Sequence, residues 1–200
     1  LFRFVPVPFT PQMALRVLSG GPLHHVWVGD DVAPALGRAA IASEDERFCF
    51  HHGFDWVSID QAIKAHDEGA RLRGASTISQ QTARTIFLLP VRSWVRKGIE
   101  AWITVLMEAL WPKQRILTAY LNLVDWGHGN FGAEAAARNY FGTSAARLTP
   151  YEAARLVAVL PDPERWSADH PGPFVRWRTR LILERMGWVT RDRLNACVRH

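Results

Sequence analysis

The chain has 200 residues, 48% of them hydrophobic and 11% aromatic, with a formal charge of +5 at pH 7. That composition buries a core within a single domain of ordinary size and excludes intrinsic disorder. The two cysteines, Cys49 and Cys197, stand at opposite ends and form neither a disulfide framework nor a zinc spacing, and no run of about eighteen apolar residues is present to cross a bilayer.

Leu1 is not a start methionine, and LFRFVPVPFTP mixes Phe and Val with prolines that forbid a helix and favour an extended segment. This start is expected to follow a membrane anchor lying upstream. Pro11–Leu18 suits a short helix that stops at Ser19-Gly20-Gly21-Pro22, and His24–Val28 a short strand. Asp30 or Asp31 is expected to cap a helix through VAPALGRAAIASED, whose apolar positions recur at three and four. Beyond Gly53, Trp56–Glu68 has helical spacing with Trp56, Ile59 and Ile63 on one face. Gly69–Gly74 reads as a loop, followed by a helix from Ser76 to about Phe87 that Pro90 ends.

Ser93 is placed to cap the next helix, which runs to about Trp111, and Lys113–Val124 continues beyond Pro112. Gly127, Gly129 and Gly132 mark turns, and Ala133–Tyr140 is an Ala-rich helix ending at Gly142. Thr149 caps a helix through EAARLVAVL. PDPERWSADHPGP reads as loop, with Phe174–Met186 and Arg191–Val198 helical. No repeat or linker divides the chain, so the expectation is one mainly α domain.

The basicity is local. Between Arg71 and Glu100 lie Arg71, Arg73, Arg84, Arg92, Arg96 and Lys97, with no acidic residue before Glu100; without these six the chain would stand at −1. Ser76, Thr77, Ser79, Gln80 and Gln81 add neutral donors just upstream. Arginine presents a rigid fork of donors to oxyanions, so the tract suits a phosphate or diphosphate. A plain solvated helix face is the competing reading. At helical spacing Arg92, Arg96 and Glu100 share a face, as do Ser76, Gln80 and Arg84. Two such faces meeting would form a cationic cleft carrying Glu100.

A second stretch, SEDERFCFHHG, places Glu44 and Asp45 at the end of an apolar helix beside Phe48 and His51-His52. A carboxylate at an apolar edge suits a general base. The adjacent histidines cannot share one face, and no third ligand has metal spacing, so no metal site is assigned. Cys49 reads as a small hydrophobe.

These motifs together carry a resemblance. E-D-x-x-F-x-x-H-x-G (Glu44, Asp45, Phe48, His51, Gly53) resembles the first motif of the peptidoglycan glycosyltransferases. G-x-S-T-I-S-Q-Q (Gly74, Ser76, Thr77, Ile78, Ser79, Gln80, Gln81) resembles their second, and R-K-x-x-E (Arg96, Lys97, Glu100) their third. KQRILTAYLN, GHGNFGAEAAARNYFG and LTPYEAARLVAVLPDP are similar to the remaining ones, in the family's order, so that the resemblance runs from about Val5 to Met186. With no transpeptidase domain following, the chain is closer to the monofunctional biosynthetic members than to bifunctional penicillin-binding proteins.

The resemblance implies a lysozyme-like helical head with a small membrane-proximal jaw, at the bacterial inner membrane with the catalytic domain on its periplasmic or outer side. It implies polymerisation of lipid II with release of undecaprenyl diphosphate and inversion at the anomeric carbon. Glu44 becomes the general base and Glu100 the second carboxylate. Ser76, Gln80, Gln81, Arg84, Arg92, Arg96 and Lys97 become substrate contacts, supported by Asp45, Phe48, His51, Gly74 and Thr77. No cofactor is required, though Mg²⁺ or Mn²⁺ could assist the diphosphate. The implied partners are lipid II, the growing glycan strand, the membrane surface and other cell-wall synthesis or division proteins, not nucleic acid. One departure stands out: Arg84-Thr85 replaces the family's usual Lys-Asn, which keeps the charge but alters its geometry. IFLLPVRSW (residues 86–94) suits either a mobile lipid-touching loop or core packing.

A lysozyme-like hydrolase would share the fold and the carboxylates, yet it has no diphosphate to release and leaves the arginines unexplained. A nucleic-acid module would use the arginines and leave Glu44 without a purpose. A catalytically silent scaffold would need neither glutamate.

Overall fold

The computed structural model describes residues 1–69, 76–91 and 93–198. The expected 69–74 loop therefore falls largely outside the described residues, as do Arg71, Arg73, Gly74 and Arg92. The described chain is mainly helical, as the sequence implies.

The centre is α2 (Pro34–Glu44), whose Leu36, Ala39, Ala40 and Ile41 are fully buried. It packs against α8 (Pro150–Val159) and α9 (Pro173–Arg191), which also pack on each other. Small residues make this close approach workable: Ala39 and Ala40 of α2 and Ala153, Ala154 and Ala158 of α8 are all sealed from solvent. A helix apolar over most of its surface is stable chiefly in the interior, which is where most of α2 sits. Thr149 starts α8 with a reciprocal capping box, its hydroxyl receiving Glu152 N–H and the Glu152 carboxylate receiving Thr149 N–H.

A second layer is made by α4 (Ile78–Phe87), packed on both α5 (Trp94–Leu110) and α6 (Lys113–Leu123). Ser93 caps α5 through Arg96 N–H at 3.0 Å, as its position suggested. α7 (Ala133–Phe141) ends on Gly142 in the left-handed conformation. α1 (Pro11–Leu18) lies at the N-terminal side, and α3 (Trp56–Asp67) is peripheral, with no buried residue. The strands are minimal: β1 (His24–His25) pairs in parallel with β2 (Asn130–Phe131), His24 opposite Asn130. β1 stops early because Val28 N–H turns to the Asn122 side chain at 2.8 Å instead of a ladder. At Gly127 (φ +93) a Cβ would lie 1.9 Å from Pro163 O, so the glycine lets this turn press against the loop after α8.

Several sequence expectations are corrected. Neither Asp30 nor Asp31 caps α2: Pro34, with its preset φ, starts the helix, and Ala33 precedes it without a side-chain cap. Asp30 instead accepts hydrogen bonds from Gln114 Nε2 at 3.0 Å and from the Thr118 hydroxyl. The first residues are not extended throughout but open with a turn, Phe4 N–H donating to Leu1 O. Arg115 then clips this segment, donating to Phe2 O at 2.6 Å while its guanidinium lies over the Trp27 and Trp111 rings. α9 continues unbroken to Arg191, and the residues from 192 to 197 form turns rather than a second helix.

The largest correction concerns Cys49, which is not a lone small hydrophobe. Cys49 and Cys197 form a disulfide across a sequence separation of 148. It fastens the C-terminal turns to the 3-10 turn Phe48–Phe50, immediately beyond Glu44 and Asp45. The pairing depends on α9 bringing the chain end back beside that turn, which cysteine spacing does not encode. Closing so long a loop removes much conformational freedom from the unfolded chain. Cys197→Ser is expected to lower stability by about 2–4 kcal/mol, a fall in Tm of roughly 5–15 °C. An unchanged Tm in a calorimetric scan of non-reduced protein would show that the staple constrains nothing.

Candidate active site

The site is assembled where the end of α2 meets the start of α4. Asp45, the residue after α2, is buried and accepts three contacts. Ile78 N–H, the first helical amide of α4, donates to Asp45 Oδ2 at 2.9 Å, and His51 Nε2 reaches the two carboxylate oxygens at 2.8 and 3.0 Å. His51 Nδ1 receives Gly53 N–H at 3.1 Å, which assigns the donating proton to Nε2. A negative charge at a helix N-terminus is favourable both through the amide and through the helix dipole.

Thr77 completes the junction. Its hydroxyl caps α4 by accepting Gln80 N–H and donates to Gly53 O at 2.7 Å. Gly53 has φ +93, and a Cβ there would lie 2.8 Å from Thr104 Cγ2 on α5, so no side chain fits. The residues of the first motif thus wrap the N-terminus of α4, which is the second motif. Phe48 is fully buried beneath this turn, with the Lys113 ammonium 4.5 Å above its ring. Lys113 also donates to Glu108 Oε1 at 2.7 Å, and Ser79 donates to the same oxygen. The clamp therefore links α4, α5 and α6.

Glu44 is the last residue of α2 and remains partly accessible. Its Oε1 accepts Ser43 Oγ at 3.0 Å and Arg178 Nη2 at 3.4 Å, while Gln81 Nε2 approaches Oε2 at 3.4 Å. Gln81 also receives the Tyr120 hydroxyl on Oε1 at 3.4 Å. Burial pushes the Tyr120 hydroxyl well above its ordinary pKa, and the negative charge of Glu44 adds to this, so Tyr120 stays a donor.

Glu100 is buried on α5 and doubly paired. Arg96 Nη1 donates to its Oε2 at 2.6 Å and Lys97 Nζ to its Oε1. The four-residue spacing of Arg96 and Glu100 gives the shared face that the sequence indicated. Arg96 also donates to Val91 O. Arg84 is exposed in the last turn of α4. Gln80 is buried, and its Oε1 accepts Thr77 N–H to close the capping box. Ser76 is half-buried, its carbonyl approached by Gln81 Nε2 at 3.4 Å.

Sequence reasoning missed Arg178, Ser43 and Tyr120 around Glu44 and Gln81, and the Glu108–Lys113 pair beside Phe48. Arg178 sits among Arg176 and Arg180 on α9, and nothing local distinguishes it. The Gln80 cap carried a signal, since Thr-x-x-Gln is a capping-box pattern.

A mainly helical domain with a carboxylate at a central helix end, beside a cationic helix, is an architecture suited to acting on glycans. The chain belongs to the transglycosylase family, whose model matches residues 15–187. It is 50% identical over 199 residues to a biosynthetic peptidoglycan transglycosylase of Caulobacter vibrioides, covering 99% of this chain and 87% of that protein. A protein of the same name from Rhodospirillum centenum is 52% identical over 199 residues, covering 98% and 86%. Another, from Bdellovibrio bacteriovorus, is 46% identical over 193 residues, covering 93% and 77%.

His51→Ala should leave Asp45 buried with one partner lost, costing about 1–3 kcal/mol of stability. Glycan-forming activity should fall further than the residual folded fraction accounts for, because the start of α4 is no longer clamped. Thermal melts and activity on the same samples test this, and a variant matching wild type in both would remove the clamp from the argument.

Proposed function

We propose that this peptidoglycan glycosyltransferase joins lipid II units into β-1,4-linked glycan strands with Glu44 as the general base. The acceptor's GlcNAc 4-hydroxyl loses its proton to Glu44 as its oxygen attacks the anomeric carbon of the donor MurNAc. The bond to undecaprenyl diphosphate breaks, and the centre inverts from α to β. The observation that carries this reading is the position of Glu44, partly accessible at the end of a buried helix and approached by donors on both oxygens. A group that must accept a proton in the transition state gains from being held in place beforehand.

Departing diphosphate develops negative charge, which fixed cations stabilise. On this reading Arg84, Arg96 and Lys97 serve the diphosphate, together with Arg92. Glu100 orients Arg96 and Lys97: one carboxylate between two cations leaves a net positive charge for the ligand. Gln81 and Ser76 lie beside Glu44 and suit sugar contacts. Gln80 suits a structural part, given its cap. Among the described residues no cluster of three His, Cys, Asp or Glu side chains could hold a metal ion. Mg²⁺ or Mn²⁺ would assist here by neutralising charge on the departing diphosphate.

The reading extends to a membrane surface. Among the described residues no helix is long and apolar enough to cross a bilayer. On α5, however, Trp94, Val95, Trp102, Val105 and Leu110 are exposed, and so are Trp56 and Ile63 on α3. Aromatic and aliphatic side chains left in this way suit contact with a lipid interface, so α3 and the outer face of α5 are the proposed jaw. In the 86–94 stretch Ile86 is buried while Phe87, Leu89 and Val91 are exposed, which suits both packing and lipid contact. The disulfide suits an oxidising compartment, in keeping with the periplasmic side.

The test is incubation of the protein with labelled lipid II in detergent, with Glu44→Gln in parallel and products resolved by size. Glycan ladders from the wild type alone are expected. Ladders of equal yield from the variant would remove Glu44 as the base. Shortening of preformed glycan without ladders would replace the transferase with a hydrolase.

A further inference from the structure

The two oxygens of Glu44 are not equivalent. Oε1 receives the Ser43 hydroxyl at 3.0 Å and the Arg178 guanidinium at 3.4 Å, and Arg178 Nη2 also donates to Ser43 Oγ at 2.9 Å. These three side chains form a closed triangle around Oε1. Oε2 has one long contact, to Gln81 Nε2 at 3.4 Å. The proton of an attacking hydroxyl goes most readily to the oxygen with fewer competing donors, which is Oε2.

We propose that Arg178 is a positioning residue for glycan synthesis. With Ser43 it fixes Oε1 of Glu44 and thereby presents Oε2 to the acceptor sugar's hydroxyl. The inference rests on the reading of Glu44 as general base. Three properties suit Arg178 to this work. It projects from α9, which packs directly against α2, so donor and carboxylate ride on rigid, mutually packed helices. A guanidinium is planar and more weakly hydrated than an ammonium, which suits it to a partly buried carboxylate. Its Nη2 alone reaches acceptors on two adjacent residues, Ser43 Oγ and Glu44 Oε1, so one terminal nitrogen holds the hydroxyl and the carboxylate together.

A strut whose only duty was to fasten α9 to α2 would spend its buried donors internally. Arg178 does not: its Nε is buried and has no hydrogen-bond partner. An unsatisfied buried donor costs stability, and native proteins rarely keep one without use. Holding Nη2 on Ser43 and Glu44 is what leaves that N–H without a partner, a cost in keeping with a positioning role rather than a purely structural one.

The experiment is steady-state polymerisation of labelled lipid II by wild type, Arg178→Gln, Arg178→Lys and Ser43→Ala, with thermal melts of each. Arg178→Gln is expected to lower kcat by about 10–100-fold, the scale of a misplaced catalytic group. Its KM for lipid II should stay near that of wild type, Arg178→Lys should recover part of the loss, and Ser43→Ala should show a smaller fall in kcat. Wild-type kcat in Arg178→Gln would overturn the proposal. So would a loss appearing only as a raised KM, or one that Arg178→Lys does not relieve. If Arg178→Gln does not fold, Ser43→Ala decides: reduced kcat with an unchanged Tm supports the triangle, and wild-type kcat overturns it. Absence of glycan from the wild type would instead overturn the function on which the inference rests, whereas ladders from a fully active Arg178→Gln would sink Arg178 alone.

Discussion

The structure depends on one buried carboxylate, Asp45. It ends the central helix, receives the first amide of α4 and is held by His51. Leaving a buried carboxylate without donors is costly, so its partners have little freedom to move. That constraint fixes where α4 begins, and α4 carries Gln81 toward Glu44 and Arg84 toward solvent. The neighbouring Glu44 can stay partly open because Asp45 does the anchoring. On the proposed reading, adjacent acidic residues thus divide structural and chemical work, and the same side chain is not asked to do both.

A comparable division appears on α5. Glu100 is sealed from solvent and held by Arg96 and Lys97. A buried carboxylate of this kind cannot serve as a mobile proton carrier without breaking two ion pairs, and breaking a buried pair typically costs about 3–5 kcal/mol. Orienting two cations is the use that asks least of it. The clamp and the ion pairs are mechanically joined, because α4 packs on α5 and Gly53 lies against Thr104. Movement of either half would disturb the other.

What could be read from the chain was what is local. Ser93 and Thr149 cap their helices as placed, since a cap needs only a hydroxyl and an amide three residues on. The apolar periodicity of residues 34–44 gave α2, although Pro34 and not an aspartate starts it. Motif spacing brought Glu44, Asp45, His51 and Thr77 into one neighbourhood, and the structure does bring them together. The remainder required the third dimension. Arg178 lies 134 residues from Glu44, and Cys197 lies 148 from Cys49, so no window of sequence contains either pair. Gln80 shows the limit of residue type: an amide in a polar run suggests a ligand contact, while its place three residues after Thr77 also makes it the capping-box partner. Trp56 and Ile63 form the helical face expected of them but remain exposed, because periodicity reports which face is apolar and not what covers it.

That uncovered face bears on how a lipid-linked donor would be met. Such a molecule joins a charged diphosphate to a hydrocarbon tail, so a protein binding it must set cations next to apolar surface. One turn of α5 does so: Trp94 and Val95 point into solvent, while Arg96 and Lys97, the next two residues, turn toward Glu100. The N-terminal segment meets the end of α4, where the Phe2 and Phe87 rings lie 6.3 Å apart. If these side chains sit at the interface, the cations lie within a helix turn of the headgroup level, where water is scarcer and each charge acts more strongly. The apolar residues then contribute to catalysis as well as to attachment, by fixing the depth at which the diphosphate meets Arg96 and Lys97. On the proposed reading Glu44, held by Ser43 and Arg178, meets the sugars rather than the diphosphate.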